Sequence, residues 1–172
     1  KPGMPEILKT LGDNAAALLV DVRASEREEL EQKLAQVTAA IRDIETVAPI
    51  GFTEDSATYD LYWKIRKGLF PAVGAVRMTG TTVIIEDVAF PVAQLANGVA
   101  DLKRLFDKYQ YDEAIIFGHA LEGNLHFVFT QDFSTQAEVD RYQAFMDDVC
   151  QLVAVDYQGS LKAEHGTGRN MA

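Results

Sequence analysis

From Thr81 to Val153 the spacing of apolar side chains switches between an alternating and a helical period, and that order constrains the fold more than any other feature. TTVIIEDVAF reads as a strand from about Thr81 to Val88. Pro91 then opens a helix with Val92, Leu95, Val99, Leu102 and Phe106 along one side. DEAIIFGH and NLHFVFT follow as two strands joined by a short turn. Ser134 or Thr135 caps a last helix whose apolar face is Tyr142, Phe145, Met146, Val149 and Val153. Strand, helix, strand, strand, helix is most of a ferredoxin-like unit, so the expected class is α+β, an antiparallel sheet with helices packed on one face.

The first half reads as a looser version of the same unit, which makes the fold internally duplicated in outline. Ala16 to Arg23 (AALLVDVR) is expected as a strand, and Thr46 to Phe52 (TVAPIGF) as a second. Between them Ser25 and Glu28 form a capping box, and Leu30, Leu34, Val37, Ile41 and Ile44 line one side of a helix whose other side is charged and solvated. Leu61, Ile65 and Leu69 mark a further helix carrying Trp63 and Arg66. Gly68, Pro71, Gly74 and Gly80 then break the chain into a loop.

At 172 residues the chain fits one domain, residues 1–172. Its 26 acidic against 16 basic side chains leave a net charge of −10, which argues against nucleic acid and anionic lipid as partners. Cys150 alone excludes an internal disulfide. No apolar run approaches the roughly 20 residues of a membrane span, so a cytoplasmic protein is expected. The chain starts at Lys1 and ends on the glycine-rich EHGTGRNMA, from which both ends are expected to continue into a longer protein.

Two of the three histidines flank an acidic turn in GHALEGNLH, Gly118 to His126. If Glu122 and Gly123 are the central residues of a hairpin, His119 stands opposite His126. Their Cβ atoms are then roughly 4.5 to 5.5 Å apart on one face, close enough to share a divalent metal. A one-residue slip would send the rings to opposite faces. The alternative is two histidines hydrogen-bonded at a sheet edge. The third lies in EHGTG, where Glu164 offers a carboxylate and His165 an imidazole, or where the glycines simply make a turn. Two histidines and one carboxylate leave coordination positions open for substrate. Neighbours on an extended chain point to opposite sides, so with Glu164 as ligand His165 is left to act as a base.

GHALEGNLH and EHGTGRN, in this order and separated by one helix, resemble the paired signatures of the FAD-linked oxidase C-terminal domain of the D-2-hydroxyacid dehydrogenases, which act on D-lactate, glycolate or D-2-hydroxyglutarate. Leu121 and Glu122 replace the usual Gly-Asp, and Thr167 an apolar residue. WKIRKG, GAVRMTGTT and EDVAFP, between Trp63 and Pro91, are similar to the bacterial members that join a flavin module to an iron-sulfur module. The resemblance implies a cap over a flavin held by a separate N-terminal domain. It implies a divalent metal, zinc or manganese, on His119, His126 and Glu164, with His165 taking the proton of the substrate hydroxyl. It also implies that Arg66 pairs with the substrate carboxylate. A lysine that some hydroxyglutarate enzymes place before the strand-ending Asp corresponds to Ile85, which leaves Arg77 as the cation for a second carboxylate. Either arginine could instead serve a surface salt bridge, and Trp63, Phe127 and Phe129 read as core.

On this reading the chain is the substrate- and metal-binding cap of an FAD-dependent enzyme that oxidises a 2-hydroxy acid, with an iron-sulfur module as a further partner. The chain alone is expected neither to bind FAD nor to turn over, and to bind metal weakly because Glu164 lies near its end. Two other readings stay open, a free-standing ferredoxin-like small-molecule sensor and a self-contained metal-dependent hydrolase.

Overall fold

A computed structural model describes residues 5–12, 15–69 and 77–164. The chain forms two compact units, residues 1–67 and 68–172.

The first unit is helical among its described residues. A short α1 (Glu6–Lys9) precedes α2 (Arg27–Ile41) and α3 (Ser56–Lys67). Leu30, Leu34, Val37 and Ile41 make a half-buried stripe along α2, at the expected spacing. The expected capping box does not form. Glu26 occupies the N-cap without a side-chain bond, and Glu29 Oε2 instead accepts from the Ser25 N–H at 3.4 Å. Arg27 pairs with Glu31 at 2.8 Å and with Glu54 at 2.7 Å, tying α2 to the segment before α3. Asp55 starts α3 by accepting from the Thr58 hydroxyl at 2.5 Å and the Thr58 N–H at 3.0 Å, bonds that hold its carboxyl below the usual range.

The two strands expected in this unit are corrected by the structure: residues 16–23 and 46–52 are irregular. An extended segment becomes a strand only when a partner satisfies its N–H and C=O groups. Among the described residues neither segment has a strand partner, and Leu18 and Val47 stand 78% and 76% exposed. The first unit therefore holds the helices of the expected repeat but, among its described residues, not the sheet.

The second unit is α+β. Its strands are β1 (Thr81–Ala89), β2 (Ile115–His119) and β3 (Asn124–Asp132), all pairs antiparallel, in the order β1-β3-β2. A 3₁₀ turn (Val92–Gln94) leads into α4 (Leu95–Tyr109). The last helix, α5 (Gln136–Cys150), starts at Thr135, whose hydroxyl accepts from the Glu138 N–H at 3.3 Å, and runs into a π-helical stretch, Gln151–Asp156. These elements match the expectation closely, because each carries its own periodicity and its own cap.

Alternation along the strands divides the sheet cleanly. Ile84 and Val88 of β1 and Leu125, Phe127 and Phe129 of β3 are buried with Leu102 and Phe106 of α4 and Phe145, Val149 and Val153 of α5 and its extension. Phe106 stacks on Phe145 at 5.5 Å, and Tyr111 tilts against Phe129 at 4.5 Å. Each fully buried ring contributes about 1.5–3 kcal/mol, which makes this aromatic cluster the anchor of the unit. Phe127 and Phe129 are core, as expected. Gln131, fully buried at the end of the same face, is satisfied by the Tyr111 hydroxyl, which donates to its Oε1 at 2.5 Å.

Asp87, His126, His119, Phe117 and Ile85 take the other phase of the alternation and lie on the opposite face. The chain returns to that region after α5. Gly159 N–H donates to Val153 O at 2.7 Å, and Ser160 exchanges two backbone hydrogen bonds with Ala89 at 2.8 and 2.9 Å. This bridge sets residues 160–164 beside the end of β1.

Candidate metal centre

The turn between β2 and β3 determines what the two histidines can do. A two-residue hairpin of type I′ needs positive φ at both central positions, which Glu122 disfavours. The chain instead makes a 3₁₀ turn, Ala120–Glu122, and only Gly123 turns left-handed, at φ 67°. Four loop residues replace the expected two. His119 consequently faces Asn124, and His126 faces Phe117. The expected opposition of His119 and His126 is therefore corrected by a slip of two residues. An even slip preserves the face, so both rings remain on one side as diagonal neighbours, their centroids 6.4 Å apart.

Two close approaches lock this geometry. A Cβ on Gly118 would stand 2.1 Å from Asn124 O, and one on Gly123 would stand 2.1 Å from Phe90 O. Gly123 O accepts from the Phe90 N–H at 2.9 Å, which fastens the turn to the chain just beyond β1.

Glu164 arrives from the Ser160 bridge and places its carboxylate between the rings. His119 Nε2 is 3.3 Å from Oε1, and His126 Nε2 is 3.6 Å from Oε2. One ligand atom from each of the three residues lies within 4.8 Å of the others. Metal–ligand bonds of about 2.0–2.2 Å put neighbouring ligand atoms roughly 3–3.6 Å apart. The two imidazole–carboxylate distances, one to each oxygen of Glu164, already fall near that range, and with all three ligand atoms within 4.8 Å an adjustment of about an ångström in side-chain position would complete a shared site. The donor set is chemically apt: two imidazole nitrogens and one carboxylate suit zinc or manganese and leave positions for other ligands. Burial is graded across the set. The His126 side chain is 5% exposed, whereas those of His119 and Glu164 are 46% and 40% exposed, so the centre has an inner wall and an open side.

Asp87, opposite His126 on β1, was missed by reasoning from the sequence alone. Its Oδ1 lies 3.0 Å from His126 Nδ1, and its Oδ2 accepts from the Ala163 and Glu164 N–H groups at 3.2 and 2.5 Å. The signal was present in VIIEDVAF, where adjacent carboxylates interrupt an apolar strand. The other of the pair, Glu86, points to the helix face, where burial and then the charge of Asp87 push its pKa up to about 7. Phe117 sits 5.4 Å from the His126 ring.

Arg66 lies half-buried in the last turn of α3, in the first unit, with Trp63 one turn earlier. Arg77 is exposed in the segment entering β1, at the opposite end of that strand from Asp87. His165 lies outside the described residues. Among the described residues no helix is long and apolar enough to cross a membrane.

Residues 5–172 match the family model described as FAD linked oxidases, C-terminal domain. Among curated relatives, the chain is 25% identical over 162 residues to the glycolate oxidase subunit GlcD of Bacillus subtilis, covering 94% of this chain and 33% of that protein. It is 30% identical over 145 residues to the D-2-hydroxyglutarate dehydrogenase of Xanthomonas citri pv. viticola, covering 78% and 29%. It is 24% identical over 155 residues to a D-lactate dehydrogenase of Anaerostipes hadrus, covering 89% and 31%. The chain thus spans about a third of the length of these relatives. With the match running through both histidines and Glu164, the resemblance read from GHALEGNLH and EHGTGRN is borne out: the chain belongs to the FAD linked oxidase C-terminal domain family.

Proposed function

We propose that this chain is the substrate- and metal-binding cap of an FAD-dependent D-2-hydroxyacid dehydrogenase that oxidises a 2-hydroxy acid to a 2-keto acid, and that His119, His126 and Glu164 hold the metal. The observation that carries this reading is the convergence of two imidazoles and a carboxylate from three separate segments on one face of the sheet. When bound, the metal supplies Lewis acidity toward the substrate oxygens and FAD, held mainly by a separate N-terminal domain, supplies the hydride acceptor. The chain's own residues supply binding, orientation and a proton acceptor. Arg66 pairs with the substrate carboxylate through a fixed guanidinium fork. His165, next to Glu164, takes the hydroxyl proton, a task that imidazole, with a reference pKa of about 6.5, suits. The ferredoxin-like reading of this unit is supported by the strand order β1-β3-β2 and by the Ala89–Ser160 bridge on the outer side of β1. An iron-sulfur module as electron acceptor belongs to the same reading.

The surroundings of the centre favour a small monocarboxylate of the lactate kind. Ile85 and Phe117 share the face of the histidines and present hydrocarbon rather than a second cation. Arg77 would serve a distal carboxylate only if the segment before β1 folded back along the strand, a distance on the order of 20 Å from Thr81 to Asp87. The test is His165→Ala in the flavin-bearing enzyme that contains this chain. It should keep its metal and its KM for D-lactate within a few-fold while kcat falls by about 10²–10⁴. Loss of the metal together with activity would make His165 a ligand and overturn its role as base.

A further inference from the structure

Asp87 is buried, 6% exposed, within a sheet face whose only other deeply buried ionisable group is His126 among the described residues. Burying a carboxylate is costly unless each oxygen is matched by donors. Here the two oxygens serve two different segments. Oδ1 lies 3.0 Å from His126 Nδ1 on β3, an ion-pair approach that is not aligned as a hydrogen bond, and Oδ2 takes the N–H groups of Ala163 and Glu164 from the returning chain.

We propose that Asp87 is the positioning residue of the centre, a single carboxylate that sets the tautomer of one ligand and the backbone of another. This rests on the metal-binding reading of the same site. A neutral imidazole has one N–H and one lone pair, and the partner of one nitrogen decides which is which. A carboxylate oxygen 3.0 Å from Nδ1 favours the proton on that nitrogen electrostatically, which leaves the lone pair on Nε2, the nitrogen that faces Glu164. The second oxygen fixes the peptide on which the Glu164 side chain is mounted. Distance alone would not have required this, since Glu164 comes from a segment tied to the sheet by one bridge at Ser160.

A carboxylate is the only side chain of this length that meets both demands, because both are demands for an acceptor. Asn has the same shape but one acceptor. If its oxygen stays with the Ala163 and Glu164 N–H groups, its amide faces His126 Nδ1 as a donor. The imidazole then carries its proton on Nε2, where it cannot ligate. If the amide turns the other way, the peptide of Glu164 loses its acceptor.

The tautomer can be read without any metal, by nitrogen-15 NMR of the histidine side chains in the chelator-treated chain at alkaline pH. Wild type should show His126 as the Nδ1–H form, and Asp87→Asn should either move it toward Nε2–H or remove the exchange protection of the Glu164 amide. Cobalt(II) titration of the same two proteins should show affinity lower by about 10- to 100-fold in Asp87→Asn. His126 found as Nε2–H in wild type would overturn the proposal without recourse to a variant. So would an Asp87→Asn chain that folds and binds cobalt as wild type does. If wild type shows the expected tautomer, Asp87→Asn loses it, and neither protein takes up cobalt, the positioning role stands and the metal-binding reading fails.

Discussion

Gly123→Ala should destabilise the second unit far more than Gly80→Ala, although both glycines have positive φ. At Gly80, φ is 95° and nothing lies within 4 Å of an added Cβ, so Ala there meets only the left-handed backbone penalty of roughly 1–2 kcal/mol. At Gly123 the same penalty applies at φ 67°, and the new Cβ also falls 2.1 Å from Phe90 O, a backbone atom with no rotamer into which to retreat. Relieving that overlap moves the turn away from the segment after β1 and strains the Phe90 N–H to Gly123 O bond, at about 1–3 kcal/mol more. Thermal unfolding followed by circular dichroism should therefore separate the two variants by roughly 2–12 °C, at about 2–4 °C per kcal/mol. Urea titration should show the same order of midpoints with unchanged slope. The turn also sets where His119 stands relative to His126, so Gly123→Ala should weaken metal binding and Gly80→Ala should leave it alone. Equal melting points for the two variants would refute the claim that the Phe90 contact holds the turn.

Glu86→Gln should stabilise the protein at pH 8 and not at pH 4. With a folded-state pKa near 7 against an ordinary 4.5, native Glu86 keeps a proton that the unfolded chain has already released, so stability falls as pH rises through that window. The gain from Gln should approach about 1–2 kcal/mol above pH 7 after allowance for solvent screening, and a gain of the same size at pH 4 would count against it. Tyr111→Phe removes the donor to buried Gln131 and should cost about 1–3 kcal/mol in urea denaturation, whereas a cost below a few tenths would mean that Gln131 is satisfied otherwise. Arg66→Ala in the flavin-bearing enzyme should raise KM for D-lactate by roughly 10- to 150-fold with metal content unchanged, the loss expected for one charge-assisted hydrogen bond. Arg77→Ala should harm D-2-hydroxyglutarate more than D-lactate if it serves a distal carboxylate, and equal effects on both would remove it from the site.

The second unit was legible because its signals are local. Alternation in TTVIIEDVAF and NLHFVFT, helical spacing from Leu95 to Phe106, and the Thr135 cap each act within a few residues, and tertiary packing reinforced them. The common face of His119 and His126 was legible for a subtler reason: with an even number of loop residues their separation puts both rings on one face, and that outcome survives any even change of register though not an odd one. The register itself was not, because it depends on whether Glu122 accepts positive φ. Non-local partners were invisible as well. Asp87 is nearly forty residues from His126 along the chain, and only the pairing of β1 with β3 brings them together. The same limit works in reverse at residues 16–23 and 46–52, where apolar alternation suggested strands but a strand is a property of two segments. Thr46 illustrates the local alternative, its hydroxyl bonding to Ala48 O at 2.8 Å in a turn of its own.

The convergence of His119, His126 and Glu164 is tested most directly by cobalt(II) or zinc(II) titration of this chain alongside His126→Ala, followed by calorimetry and, for cobalt, by the visible absorption of the bound ion. Wild type should take up one ion per chain saturably, even if weakly, with imidazole coordination, and His126→Ala should lose that uptake while remaining folded. No saturable uptake at millimolar metal, or uptake that is the same in His126→Ala, would contradict a metal centre on these three residues.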